Sequence, residues 1–281
     1  MKNIKLTTLL TSILLFGCNQ VENKKTLTTE KSNIKTIKQS PFKEDQIENE
    51  KLDEEVITNI RNVIELFKQK NIDKISNIIG FPLHRKYPIP KVNDKNELIQ
   101  RFDDIFDKTL IEKIANSKIE QWNKVGWKGI MLDNGIVWMD DNGEKIESIN
   151  YQSEAEKKIR ENIIAKEKED VHSSLKTFLN PIFKIKTKTS IIRIDETSEG
   201  QYRFASWKIG EIESSKPDLI IEKGLLEFLG SGGNHVIIFA YNDKYYKIYR
   251  NLMGEEGAPD ITYDIEKDEK IIFTEDGTLY E

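Results

Sequence analysis

Residues 236–249 read Val-Ile-Ile-Phe-Ala-Tyr-Asn-Asp-Lys-Tyr-Tyr-Lys-Ile-Tyr, and this stretch decides the fold of the last hundred residues. Two runs of β-branched and aromatic residues, 236–241 and 245–249, flank Asn242-Asp243, a pair suited to a tight turn. The same device repeats on both sides. Runs at 202–209, 219–221, 225–229, 261–265 and 271–273 read as strands, and 183–194 reads as one longer strand. Between them stand Ser198-Glu199-Gly200, Lys216-Pro217-Asp218, Lys223-Gly224 and the glycine-rich 230–234, while Thr274 to Gly277 reads as a final turn. Short strands at this spacing predict an all-antiparallel β domain, barrel or sandwich, over 181–281.

Upstream, 152–180 is densely charged, with Ile159, Ile163, Ile164, Val171 and Leu175 at helical spacing and Asn180-Pro181 as a stop. It reads as a connecting helix. The segment 52–151 reads as an α+β domain, so the whole chain is of the α+β class. Val56, Ile60, Val63, Ile64 and Phe67 line one face of a first helix, and a short turn carries Ile75, Ile78 and Ile79. Pro82, Pro88 and Pro90 enforce extended chain, and Asn93 or Asp94 caps a helix whose face holds Leu98, Phe102, Ile105, Phe106 and Leu110. Asn134-Gly135 and Asp141-Asn142-Gly143 then mark two hairpins, the first of type I′ with both residues at positive φ. Helices followed by this meander resemble the cone-shaped NTF2-like fold over 53–151. That resemblance implies either a pocket or a plain scaffold.

The first residues address the chain. Lys2 and Lys5 precede a mostly apolar stretch from Leu6 to Phe16, too short to cross a bilayer of about 30 Å, and Leu15-Phe16-Gly17-Cys18 follows. This ending resembles the lipobox of bacterial lipoproteins, with Phe16 departing from the usual small residue. The resemblance implies a signal peptide over 1–17, cleavage between Gly17 and Cys18, and palmitate-type acylation of Cys18. It thus implies a bilayer partner and a place in the cell envelope, on the periplasmic side of an envelope with two membranes. Asn19, where inner-membrane retention favours aspartate, leans toward an outer membrane if one exists. Residues 18–51 are polar and aperiodic and read as a lipidated flexible tether, with a reach of roughly 30 Å.

Composition limits the function. The formal charge is -5, from 43 basic and 48 acidic residues, which argues against a nucleic-acid partner. With Cys18 the only cysteine, a disulfide framework and thiol catalysis are ruled out. His84, His172 and His235 lack metal-ligand spacing, Gly230 to Gly233 lack the Gly-Lys-Ser/Thr ending of a phosphate loop, and Asp140 to Glu144 lack the remaining calcium ligands. No metal, cofactor or catalytic residue is assigned. Tyr245 and Tyr249, on a strand interrupted by lysines, are the candidate ligand-binding residues. The expected function is non-catalytic binding of an envelope protein or small ligand. An inhibitor or immunity role on a partner enzyme, and a hydrolase or isomerase in an NTF2-like pocket, are the alternatives.

Overall fold

The computed structural model describes residues 51–230, 232–254 and 257–280. Its first body opens with α1 (Glu54–Gln69), capped by the Asp53 carboxylate, which accepts from Val56 N at 2.9 Å, and closed by Lys70 at φ 50°. The expected apolar face is the buried one: Val56, Ile60, Val63, Ile64 and Phe67. After α2 (Ile72–Asn77) the single helix expected from 94 onward is instead three: α3 (Lys95–Gln100), α4 (Phe102–Ile105) and α5 (Lys108–Ala115). The break before α5 has a local cause. Phe106 leaves helical geometry at ψ 73°, and Asp107 recaps the chain by accepting from Leu110 N at 2.9 Å. All five side chains of the predicted face are nevertheless buried.

A four-stranded antiparallel sheet covers these helices, in the order β1 (Trp122–Lys124), β2 (Ile130–Leu132), β3 (Val137–Met139) and β4 (Ile146–Ile149). β1 was not among the predicted strands. The β2–β3 connection differs from the expected two-residue turn: it spans 133–136, with positive φ at Asp133 and Gly135. Asp133 is tied to the residue just before β1, donating its N–H to Gln121 O at 2.9 Å and accepting from Gln121 Nε2 at 2.9 Å. The indole of Trp138 lies over Gly135, where a Cβ would come within 2.7 Å of it. The core of this body is apolar, with Phe67, Phe102 and Phe106 at its centre. The three tryptophans of this body do not share one environment: Trp122 is buried, Trp138 is half-buried, and Trp127 is 63% exposed.

Helix α6 (Glu154–Asp170) is shorter than expected. It ends at Val171, a single 3-10 turn follows at Ser173–Leu175, and Asn180-Pro181 begins a strand rather than ending the helix. The proline sits there without a lost ladder bond of consequence, at the start of its strand.

The last hundred residues form a closed barrel of eight antiparallel strands in chain order. They are β5 (Asn180–Thr187), β6 (Ser190–Ser198), β7 (Gln201–Lys208), β8 (Leu219–Phe228), β9 (His235–Tyr241), β10 (Lys244–Arg250), β11 (Ile261–Lys267) and β12 (Lys270–Leu279). The sandwich alternative is thereby set aside. Three strand boundaries differ from expectation. The long strand at 183–194 is a hairpin, because Thr187 Oγ1 accepts from Ser190 N at 2.9 Å and turns the chain. The two runs at 219–221 and 225–229 are one strand with a bulge, where Lys223 adopts φ 66° and the register against β7 slips. The tail from Thr274 to Gly277 is part of β12, whose residues Gly277, Thr278 and Leu279 pair with Thr187, Lys186 and Ile185 and close the barrel.

Isoleucines and aromatics fill the interior. Phe204 packs within 5.7–5.9 Å of Phe239 and Tyr263, and Tyr263 within 5.5 Å of Phe273. Eight strands leave room for side chains or one small ligand, and here side chains occupy it. Two glycines make the fit: a Cβ on Gly224 would lie 2.2 Å from the Phe239 ring, and one on Gly277 would lie 2.7 Å from Ile185 Cγ2. Among the described residues no helix is long and apolar enough to cross a membrane.

Candidate functional site

Alternation along β6 and β7 sends Ile192, Ile194 and Phe204 inward and leaves Arg193, Asp195, Arg203, Ala205 and Trp207 on the outer wall. That wall is not solvated. Ile164 of α6, Val171, Leu175 and Phe178 pack over Ala205 and Trp207 and bury the charged side chains beside them. Buried charges persist only when paired, and these are. Arg193 donates from Nε to Asp195 at 2.9 Å, from Nη1 to Glu213 at 2.7 Å and from Nη2 to Glu167 at 2.9 Å. Arg203 donates from Nη2 to Asp195 at 2.8 Å and to Leu175 O at 2.7 Å. Lys184 pairs with Glu167 at 3.0 Å, and Tyr280 OH donates to Glu213 at 3.0 Å.

The electrostatics follow from this packing. Burial alone would lower the Arg193 pKa, but the Asp195 and Glu213 carboxylates outweigh it and hold the guanidinium charged. Burial, reinforced by the charge of Glu213, raises the Tyr280 phenol. Burial and the charge of Glu167 do the same to Tyr87, which sits in a turn at 86–89 rather than in the extended chain expected around Pro88: Ile89 N donates to Lys86 O at 3.0 Å, and Leu83 and Val92 pair antiparallel across the base of the loop.

A cleft of about 580 Å³ opens beside the network, with Ile191, Ile212 and Val171 as apolar lining and Asp170, Lys186 and Glu211 as further charged lining. The charged groups at its base are committed to one another. Its chemistry is therefore that of a paired ion network in which one buried donor, Arg203 Nε, is left without a hydrogen-bond partner; it is suited to fixing α6 on the barrel, and the described geometry offers no activated nucleophile there.

The predicted ligand residues lie elsewhere. Tyr245 and Tyr249 point outward from β10 with Lys247 between them, while Tyr246 and Ile248 join the barrel interior. Tyr245 is 52% exposed; Tyr249 is half-buried, and burial raises its phenol pKa. Lys247 reaches Glu266 at 2.6 Å, so the two tyrosines flank an ion pair on an open outer wall, and neither lines the cleft. Cys18 and Gly17 lie outside the described residues.

The histidines are separate. His84 is exposed, His172 turns its Nδ1 to Ser174 at 2.9 Å, and His235 is half-buried at its strand end with Nδ1 2.8 Å from Gly233 O. No group of three His, Cys, Asp or Glu side chains among the described residues could hold a metal ion.

The Arg193–Asp195–Arg203 constellation escaped the sequence reading because charged residues alternating with isoleucine are the pattern of a solvated outer face. The signal that could have found it was the apolar set Val171, Leu175 and Phe178 just before the first strand, which needs a wall to cover. No protein-family model, curated protein or solved structure matches this chain.

Proposed function

We propose that this protein is a lipid-anchored lipoprotein of the bacterial cell envelope whose folded part binds an envelope partner without catalysing a reaction. The observation that carries the binding half is the filling of both interiors. The barrel lumen holds Phe204, Phe239 and Tyr263, and the first body's sheet and helices enclose Phe67, Phe102 and Phe106. What such bodies offer a partner is their outer surface.

The NTF2-like reading of 53–151 belongs to the same proposal, as a scaffold. An enzyme of that shape would need a polar dyad within the cone. The buried polar side chains described there are Ser76, whose hydroxyl donates to Ile72 O at 2.7 Å, and Arg85, whose guanidinium is committed to Glu156 and to the Ile149 and Tyr151 carbonyls. An inhibitor or immunity role is the same binding reading with an enzyme as the partner.

The anchor half rests on Leu15-Phe16-Gly17-Cys18. Two acyl signals hold a chain on a bilayer far longer than one. The test is labelling of cells with an alkyne fatty acid, followed by fractionation and crosslinking. Wild type should take up label, sediment with membranes and capture a discrete partner; Cys18→Ser should lose the label and become soluble. Label persisting in Cys18→Ser would refute the anchor, and no captured partner from either form would refute the binding reading.

A further inference from the structure

One end of the barrel, where β8 turns into β9 and β10 into β11, carries an apolar lip. Phe228 and Leu229 of the first turn and Leu252 and Met253 of the second are 44 to 58% exposed. Scattered exposed apolar residues need no explanation, but four on adjoining turns do.

The lip is built as one piece. Asn234 Oδ1 accepts from Leu252 N at 2.8 Å and Met253 N at 2.7 Å, and its Nδ2 donates to Met253 O at 2.7 Å. Gly232 and Gly233 let the second turn lie against the first: a Cβ on either would come 3.0 Å from Met253 Cγ or 3.1 Å from Leu252 Cδ1. Behind it the His235 ring sits between Phe183 at 5.9 Å and Phe228 at 5.8 Å, with its Nδ1–H given to Gly233 O. Asn251 Nδ2 ties the base of the second turn to Pro259 O at 3.0 Å.

The rim is acidic. Glu227 precedes Phe228, Glu199 occupies the β6–β7 turn at the same end, and both are exposed, while Asp260 closes the second turn. The basic residue of these turns, Arg250, is spent on Asp260 and on the Asn251 and Asp260 carbonyls, both at 3.0 Å.

We infer that this lip is a docking surface for a polypeptide that presents apolar side chains flanked by lysine or arginine. The inference rests on the binding reading above and names the surface and the partner's chemistry. With the backbone of the second turn fixed in advance by Asn234, docking has mainly side chains left to order, so more of their burial goes into affinity. The carboxylate rim selects a cationic neighbour and repels an anionic bilayer.

The test uses the mature chain carrying Cys18→Ser, with a fluorescent leucine–lysine peptide patterned as an amphipathic helix as probe and its leucine–glutamate counterpart as control. The lysine peptide should bind saturably and the glutamate peptide should not. Phe228→Ser with Met253→Ser should weaken binding about tenfold or more, Glu227→Lys should weaken it in a salt-dependent way, and Tyr245→Ser on the outer wall should not change it. These positions are exposed, so unchanged thermal melting verifies the fold. Equal binding of both peptides, or indifference to the lip variants, overturns the proposal. So does lip-dependent binding to phosphatidylglycerol–phosphatidylethanolamine vesicles, or self-association that the lip variants abolish. A partner crosslinked in cells equally by wild type and Phe228→Ser would overturn the lip while leaving the binding reading intact.

Discussion

Arg85 and Glu156 meet as a forked ion pair whose side chains are 2% and 1% exposed, joining the loop after α2 to the first turn of α6. The remaining guanidinium donors go to Ile149 O at 2.7 Å and Tyr151 O at 2.8 Å. Removing one partner of such a pair strands the other without water, at a cost of about 3–5 kcal/mol. Arg85→Ala should therefore lower unfolding free energy by that order. The double variant Arg85→Met with Glu156→Met should lose much less than the sum of its singles. Urea titration of the four proteins checks this; additive losses would show that the two side chains act independently.

The network on the outer barrel wall makes a similar demand. Arg193→Met leaves the carboxylates of Glu167, Asp195 and Glu213 without their shared cation, an expected loss again of about 3–5 kcal/mol. Adding Asp195→Asn should restore part of it. Equal instability of the single and double variants in thermal melts would contradict the hub role given to Arg193.

Alkaline pH should unfold this protein in a specific way. Burial raises the phenols of Tyr87, Tyr263 and Tyr280 above the ordinary tyrosine value. The unfolded chain then releases its phenolic protons first, so stability is intact below about pH 10 and falls as pH rises past it. Tyr263→Phe and Tyr280→Phe should flatten that decline. Unfolding free energies measured across the alkaline range, with and without these substitutions, provide the comparison; parallel curves would refute the assignment.

Gly224→Ala should cost about 1–3 kcal/mol, since the added methyl meets the Phe239 ring at 2.2 Å. Phe239→Leu in the same chain should recover part of the loss. A loss unchanged by Phe239→Leu in chemical unfolding would mean that the two residues are not coupled.

How much of this was legible beforehand varies by element. The face of α1 was plain because Val56, Ile60, Val63, Ile64 and Phe67 repeat at helical spacing and Asp53 supplies a cap. Strands β9 and β10 were plain because Asn242 and Asp243, both at positive φ, sit between two runs of β-branched and aromatic residues, the second interrupted only by Lys247. The closing strand was hidden: Glu275, Asp276 and Gly277 have the composition of a turn, and only pairing with β5 makes them extended. The bulge at Lys223 was hidden likewise, because Lys-Gly between apolar runs reads as a break whether the chain turns or merely kinks. Of the surfaces, Tyr245 could be read from alternation alone. The lip could not, since it arises from Asn234 reaching across to a turn eighteen residues on.

The seam at Gly277–Leu279 has a further consequence. Over these three residues the backbone donors and acceptors of β12 and β5 are spent on each other, so along this seam a partner has no open ladder onto which to add a strand. Recognition there must be written in side chains. Substitutions on the barrel's turns can change what it binds while the hydrogen-bonded wall stays as it is, and selection can revise its partner without redesigning its fold.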